Sequence, residues 1–344
     1  MKAVVCSRLD GPEALGVGEH PDPVLSEGQV LVEVRAASLN FPDALMVRGL
    51  YQVKPALPFV PGAELSGVVR EVAPGVERPR VGDSVIGFAG HGGFAPLCAV
   101  DAARTMPLPE GVGFAEGAAF GLTYGTALHA LRDCGALRPE ETLAVLGAGG
   151  GTGIAAVECG KAMGARVIAC ASSAAKLELA RAHGADETID YAKEDLRARL
   201  EEIAGKRGVD VVFDAVGGPY TEPAFRATGW RGRLLVIGFA AGDIPKLALN
   251  LALLKERSIV GVYWGDWTRR DPKGHARNMA ELARWLADGT VKPAITERIT
   301  LDQVPDALAR MSRRELRGKV VVVPWAASPP PRRAGAPAAP TASS

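Results

Sequence analysis

The sequence is poor in the residues that build metal and nucleophilic centres. Its five histidines (His20, His91, His129, His183 and His275) include no two at ligand spacing. Its five cysteines (Cys6, Cys98, Cys134, Cys159 and Cys170) are scattered and form no C-x-x-C pair. Zinc sites need closely spaced His, Cys and carboxylate ligands, so a four-cysteine lobe is excluded and the expectation is no metal. His91 with Cys98 is the closest pairing, and it reads as a glycine-rich surface turn; His129 falls on a helical stretch and reads as structural. The cysteine scatter argues against a disulfide framework and for a reducing compartment. No G-x-S-x-G elbow, H-E-x-x-H motif or paired-carboxylate signature occurs, which removes the common hydrolase chemistries. No apolar run approaches the ~20 residues of a membrane span. The net charge of +1 supplies no bulk field toward nucleic acid or anionic membrane. The start, Met1-Lys-Ala-Val-Val-Cys6, reads as a strand rather than a signal peptide, and the expected location is cytoplasmic.

What is abundant is glycine in one place. Residues 142–153, Thr-Leu-Ala-Val-Leu-Gly-Ala-Gly-Gly-Gly-Thr-Gly, carry an apolar run into five glycines, and a helical pattern follows through Ile154, Val157 and Met163. Strand, glycine turn and helix in that order make a phosphate cradle, because glycine lets backbone approach a pyrophosphate and the helix N-terminus offers unpaired N–H groups. A tight strand-to-helix turn is the plainer reading of the glycines alone. A length of 344 residues with 47% hydrophobic content suggests two domains with sizeable cores. Residues before about 120 hold short β-branched runs between Gly and Pro, as in a small β-rich domain. Beyond 122, strands (142–147, 166–170, 210–213, 233–237, 258–263) alternate with helices (151–163, 173–182, 193–204, 219–227), the pattern of a parallel sheet covered on both faces. A helix is expected over 274–289. A last strand over 319–323 stands outside the alternation and is suited to rejoin the first domain. The low-complexity end, 326–344, has too little apolar bulk to offset ordering entropy and is expected to be disordered.

The second strand of such a fold ends at the adenosine ribose, where an acid about 20 residues past the glycines selects NAD. Here no acid occurs between Arg166 and Leu177; Ser172, Ser173 and Lys176 stand there instead. A carboxylate would repel a 2′-phosphate, whereas hydroxyls and a cation bind it, so the cofactor expected is NADP(H). Ser172 or Ser173 also suits a helix N-cap, Lys176 also suits a solvated helix face, and Tyr191 suits either a lid over the adenosine phosphate or plain packing.

Several stretches together resemble the medium-chain dehydrogenase/reductase superfamily, in its zinc-free quinone oxidoreductase branch, over about residues 1–324. They are Ser38-Leu-Asn-Phe-Pro-Asp-Ala-Leu-Met-Val-Arg-Gly-Leu-Tyr51, Pro61-Gly-Ala-Glu-Leu-Ser-Gly-Val-Val69, Val81-Gly-Asp-Ser-Val-Ile-Gly87, Gly121-Leu-Thr-Tyr-Gly-Thr-Ala127, Ala148-Gly-Gly-Gly-Thr-Gly153, residues 176–186 and Gly318-Lys-Val-Val-Val322. Zinc members of the superfamily place a Cys where Asn40 stands and a His where Ala63 stands; both are absent, which disfavours zinc-assisted alcohol oxidation.

The resemblance implies a GroES-like β-barrel domain (1–121, with 265–325 returning to it) and a Rossmann doubly wound parallel sheet (122–264), an α/β protein with its active site in the cleft between domains. It implies that Asn40 and Tyr51 line the substrate side and that Thr126 holds the nicotinamide end. Gly150, Gly151, Thr152 and Gly153 would hold the pyrophosphate, and Val216, Gly217, Gly238 and Phe239 would face the cofactor. The expected reaction is NADPH-dependent reduction of a quinone, with Asn40 or Tyr51 bonding the carbonyl oxygen as charge builds there. An enone, alkenal or thioester acceptor is the alternative, and a non-catalytic NADPH-binding protein is a second. The resemblance favours a homodimer, and a strand near 257–263 is suited to pair at a sheet edge.

Overall fold

The computed structural model describes residues 1–323; the expected disordered tail, 326–344, lies outside them. Its organising element is a six-stranded sheet. The strands run, across the sheet, Glu187–Asp190, Arg166–Ala171, Thr142–Leu146, Val209–Asp214, Thr228–Val236 and Ser258–Gly261, and every neighbouring pair is parallel. Numbered along the chain this is the order 3-2-1-4-5-6 of a doubly wound dinucleotide fold, and direction reverses between Thr142–Leu146 and Val209–Asp214. Strand Thr142–Leu146 is buried at every position, as parallel strands covered on both faces must be.

The helix Gly151–Ala162 follows the glycine turn and is buried from Gly153 to Gly160. Two features of the sheet escaped the apolar pattern. Strand Glu187–Asp190 sits at the edge and buries chiefly Ile189 and Asp190, so four residues show no periodicity. Strand Thr228–Val236 starts five residues before the apolar run, on Thr-Gly-Trp-Arg-Gly. The helix expected over 193–204 begins at Leu196 because Asp195 caps it, Oδ1 accepting from the Ala198 N–H at 2.9 Å. The helix Pro272–Asp288 has Asp271 as its cap, proline at its start and Gly289 in left-handed conformation at its end. It buries Met279, Leu282 and Leu286, each worth roughly 1.5–3 kcal/mol of transfer free energy.

The second sheet has seven strands. Ile295–Ile299, Lys319–Val322, Gln29–Ser38, Glu64–Val72, Ser84–Phe88 and Thr105–Pro107 follow one another, and Leu97–Asp101 also pairs with Gln29–Ser38. The last strand of the chain thus returns to the sheet built by the first hundred residues, Val321 opposite Ser38 and Val322 opposite Ala37. On the way it touches the glycine turn: Gly318 and Gly150 form a parallel bridge, and the Gly318 N–H donates to the Gly149 carbonyl at 2.8 Å.

Candidate active site

The glycine turn lies at the carboxyl end of Thr142–Leu146, at the point where strand order reverses. The helix after it has Gly150 as N-cap with no side-chain cap, so its first N–H groups remain for an anion. Gly153 has to be glycine, since a Cβ there would lie 2.1 Å from the Gly147 carbonyl oxygen. Across the switch point Asp214 shapes the next two loops. Its Oδ1 accepts the Val216 and Gly217 N–H groups at 2.9 and 2.8 Å, and Oδ2 accepts the Thr221 hydroxyl at 2.6 Å. The Ile237 and Gly238 N–H groups donate to the Asp214 carbonyl. Val216, Gly217, Gly238 and Phe239 are thereby held side by side, with Phe239 against Gly217 and Val216 against Gly147.

The ribose end gathers more than the sequence suggested. Ser173 is the N-cap residue of helix Ala174–Ala182, without a side-chain cap bond, and Ser172 is exposed. Lys176 is half-buried, and its Nζ donates to the Arg314 carbonyl at 2.7 Å. Burial, then the Arg314 charge, lowers its pKa. Tyr191 stacks near Tyr220, ring centroids 4.2 Å apart. Burial pushes its phenol up to about 12 despite a hydrogen bond with Ser172 and the Arg314 charge. Arg314 therefore belongs here. Arg313 pairs with Glu315 at 2.6 Å, while no carboxylate pairs with Arg314 among the described residues. Its signal in sequence was slight, because it lies 138 residues from Lys176. Two cations, a hydroxyl and a phenol at a strand end, beside an uncapped glycine cradle, fit a dinucleotide that carries a 2′-phosphate.

The side that the resemblance gives to the substrate contains a buried ionic cluster. Asn40, Asp43, Glu64, Ser38 and Lys319 are all buried. Glu64 Oε2 accepts the Ser38 hydroxyl at 2.8 Å, and Oε1 accepts the Leu122 N–H at 2.8 Å, at the start of helix Gly121–Leu128. Lys319 Nζ donates to Asn40 Oδ1 at 2.7 Å and to the Leu39 carbonyl at 3.1 Å, and lies 3.7 Å from Glu64. Asp43 accepts the Asn40 and Ala63 N–H groups at 2.8 and 3.1 Å. Burial pushes Asp43 up to about 7 and pushes Lys319 down; desolvation favours the neutral form of each.

This cluster changes the role expected of Asn40. Its Nδ2 faces the Ser38 carbonyl, the Ser38 hydroxyl and Glu64, each at 3.2 Å. Both amide hydrogens are engaged by the protein, leaving none to donate to a substrate oxygen. The Asn40 oxygen is likewise held by an ammonium, and Ala63 offers no ligating atom, so the two positions that bind zinc in the resembled zinc enzymes do not make a cation site. Tyr51 is different. It is half-buried, and its phenol is raised by burial first and then by Tyr263 and Asp43. Thr126 is half-buried on Gly121–Leu128, the helix whose first turn Glu64 holds.

Two family models match: an alcohol dehydrogenase GroES-like domain over residues 26–110 and a zinc-binding dehydrogenase over 151–284. Quinone oxidoreductase-like protein 2 of Bos taurus is 35% identical over 93% of this chain and 92% of its own. A probable oxidoreductase from Mycobacterium abscessus superposes with TM-score 0.85 at 36% identity, covering 94% of this chain and 99% of that one. The Escherichia coli quinone oxidoreductase complexed with NADPH superposes with TM-score 0.86 at 27% identity, covering 94% and 100%. The strand order, the glycine cradle and the full-length likeness agree, and the chain belongs to the quinone oxidoreductases of the medium-chain dehydrogenase/reductase superfamily.

Proposed function

We propose that the chain is an NADPH-dependent, metal-independent oxidoreductase that reduces quinones in the cleft between its two large sheets. The observation that carries this reading is the meeting of Lys176, Arg314, Ser172 and Tyr191 at a carboxylate-free strand end beside the glycine cradle. When bound, the dihydronicotinamide supplies hydride. The chain's own residues bind, orient and polarise. The N–H groups of Gly151, Thr152 and Gly153 receive the pyrophosphate, while Lys176 and Arg314 receive the 2′-phosphate. Val216, Gly217, Gly238 and Phe239 wall the cofactor, and Thr126 fixes its nicotinamide end. Tyr51 donates to the acceptor's carbonyl oxygen as charge builds there. A phenol is an O–H donor at neutral pH by its ordinary chemistry, and burial only raises this one further. Asn40 acts through others, positioning Ser38, Glu64 and Lys319.

A thioester acceptor would want a free basic groove for its carrier. Arg269 and Arg270 both pair with Asp266, Arg313 pairs with Glu315, and Arg314 is taken up beside Lys176 at the ribose end, so these four arginines offer no separate groove, which favours the quinone over that alternative. NADPH oxidation followed by absorbance against a panel of quinones, enones and enoyl thioesters tests the reading. Faster turnover of enones would replace the acceptor, and no oxidation with any acceptor would leave a binding protein.

The edge strand Ser258–Gly261 carries exposed Ile259, near exposed Leu253, Leu254 and Tyr263. We propose that it pairs with its counterpart in a homodimer; a monomer by light scattering would refute this. Among the described residues no helix is long and apolar enough to cross a membrane. We propose a cytoplasmic location, which fractionation of cells tests. The division into 1–121, 122–264 and a returning 265–325 is tested by limited proteolysis at its junctions.

A further inference from the structure

Away from the cleft, a cysteine, a histidine and an aspartate are assembled in series. After Leu128 the helix Gly121–Leu128 widens into a π-helical turn, His129–Cys134. The Gly135 N–H donates five residues back, to the Ala130 carbonyl, at 2.8 Å. In an α-helix residues five apart stand roughly 140° apart around the axis; the wider turn brings His129, Asp133 and Cys134 together. Such turns are rare and recur at functional sites. His129 Nδ1 lies 2.9 Å from Asp133 Oδ2, and Nε2 lies 3.4 Å from Cys134 Sγ. The helix Pro272–Asp288 fixes the carboxylate, Asn278 Nδ2 donating to Asp133 Oδ2 at 2.7 Å. Arg132 grips Glu281 of that helix at 2.6 and 2.7 Å. Trp267 stacks on the imidazole, centroids 3.9 Å apart.

The hydrogen bonds set the tautomer. Asp133 accepts from Nδ1–H, so Nε2 is the acceptor and the thiol donates to it. Asn278 is 1% exposed, and its carboxamide oxygen has no partner among the described residues. His275 Nδ1 and Trp264 Nε1, in the same packed group of rings, are also unpartnered. Cys134 is half-exposed, whereas Cys6, Cys98, Cys159 and Cys170 are buried.

We propose that Cys134 is a nucleophilic thiol, with His129 as its base and Asp133 as the base's orienting partner, that adds α,β-unsaturated carbonyl electrophiles, quinones included. Burial and the Asp133 charge hold the thiol above its ordinary range, so it does not ionise alone at neutral pH and passes its proton to Nε2 as sulfur attacks. Sulfur bonds to the β-carbon, the carbon–carbon π pair shifts to the bond between the α-carbon and the carbonyl carbon, the carbonyl π pair moves to oxygen, and His129 returns the proton to the resulting enolate. With a quinone the ring then loses its own hydrogen at that carbon and gains a second hydroxyl, giving a hydroquinone thioether. The balance needs no oxidant or reductant, and the step is independent of NADPH. Cys134 lies eight residues beyond Thr126, about two turns further along the helix, so the two sites are distinct.

The full chain, without NADPH at neutral pH, is treated with one equivalent of N-ethylmaleimide, and separately of 1,4-naphthoquinone, and mapped by mass spectrometry. Both are expected to add once, on Cys134, and N-ethylmaleimide at least about 10²-fold faster than to N-acetylcysteine, the lower end of base assistance. His129→Gln is expected to slow the addition by about 10²-fold or more with an unchanged circular dichroism spectrum. Adducts spread over the other cysteines, or a Cys134 rate no faster than N-acetylcysteine, would overturn the proposal. The comparison with N-acetylcysteine decides the matter even where His129→Gln fails to fold. Because the probes act without cofactor, failure here leaves the hydride-transfer reading standing, and the reverse holds too.

Discussion

Replacing Lys176 with methionine isolates one charge at the ribose end. The methylene stem matters, because Lys176 Cβ and Cγ occupy the space that a Cβ on Gly149 would enter, at 2.4 and 2.7 Å. Alanine would therefore disturb the glycine turn as well as the charge; methionine keeps the stem. A charge-assisted hydrogen bond contributes about 1.5–3 kcal/mol, and each 1.4 kcal/mol is tenfold, so the NADPH Kd should rise by roughly 10- to 100-fold. NADH, which has no 2′-phosphate, should bind nearly as before. A second effect is built in. Arg314 sits at φ +62, a conformation uncommon for any residue but glycine, and Lys176 holds its carbonyl at 2.7 Å. Losing that bond loosens the second cation too. Lys176→Met and Arg314→Met combined should thus cost less than the sum of the single changes, by at least ~0.5 kcal/mol of coupling. Fluorescence titration of both cofactors against the four proteins measures all of this. Equal losses for NADPH and NADH, or strictly additive changes, would refute the assignment of these side chains to the 2′-phosphate.

Tyr51→Phe should lower kcat by about 10²-fold, the scale of one lost donor to a developing oxyanion, with NADPH Kd unchanged in titration; a collapse of cofactor affinity would remove Tyr51 from the chemistry. Gly153→Ala drives a Cβ to 2.1 Å from the Gly147 carbonyl, and overpacking of this kind costs ~1–3 kcal/mol. Its Tm should fall and its NADPH Kd should rise, both against an unchanged Gly16→Ala control, an exposed strand position where nothing lies within 4 Å of the Cβ. For Asp43 the folded pKa, about 7, stands above the ordinary 3.8, so the folded state keeps a proton that the unfolded chain has released. Its contribution is complete below the lower value and is lost as pH rises through the upper. Tm of the native protein minus that of Asp43→Asn should therefore decline across this window, and a flat difference would show that Asp43 is ionised throughout.

The parallel sheet was legible because its physics is local. Buried parallel strands read as near-continuous apolar runs, and a strand, a glycine turn and a helix in that order make a phosphate cradle. The absent acid after Arg166–Ala171 pointed to NADP for a similar reason, since one carboxylate would forbid a phosphate. Arg314 was not legible, because a cation earns its role only from what it faces, and its partners Lys176 and Tyr191 are far away in sequence. The engagement of Asn40 was hidden likewise: the residue suits a substrate donor until Glu64 and Lys319, from two other strands, take up its amide. The strand Glu187–Asp190 failed on length, and the π-helical turn at His129 on period, since nothing in His-Ala-Leu-Arg-Asp-Cys departs from an ordinary helix.

Lys319 joins the two halves of the site in a way neither half explains alone. Its ammonium lies among Asn40, the Leu39 carbonyl and Glu64, while its Cδ would stand 2.6 Å from a Cβ on Gly151. The carbons of the side chain therefore floor the phosphate turn, and its nitrogen orients the substrate side. Glu64 makes the same junction from the opposite direction, tying its own strand to the helix that carries Thr126. Burying such charges is costly, and an apolar replacement often packs as well, so stability is a poor reason for the cluster. Geometry is a better one. A charge held by three fixed acceptors has a single low-energy position, and here that position sets the spacing between the pyrophosphate turn and the strand leading to Asn40. Hydride transfer depends on how closely the reacting atoms are positioned, and Lys319 ties the glycine turn to the Asn40 strand end, the two regions that the proposed function gives to the cofactor and the quinone.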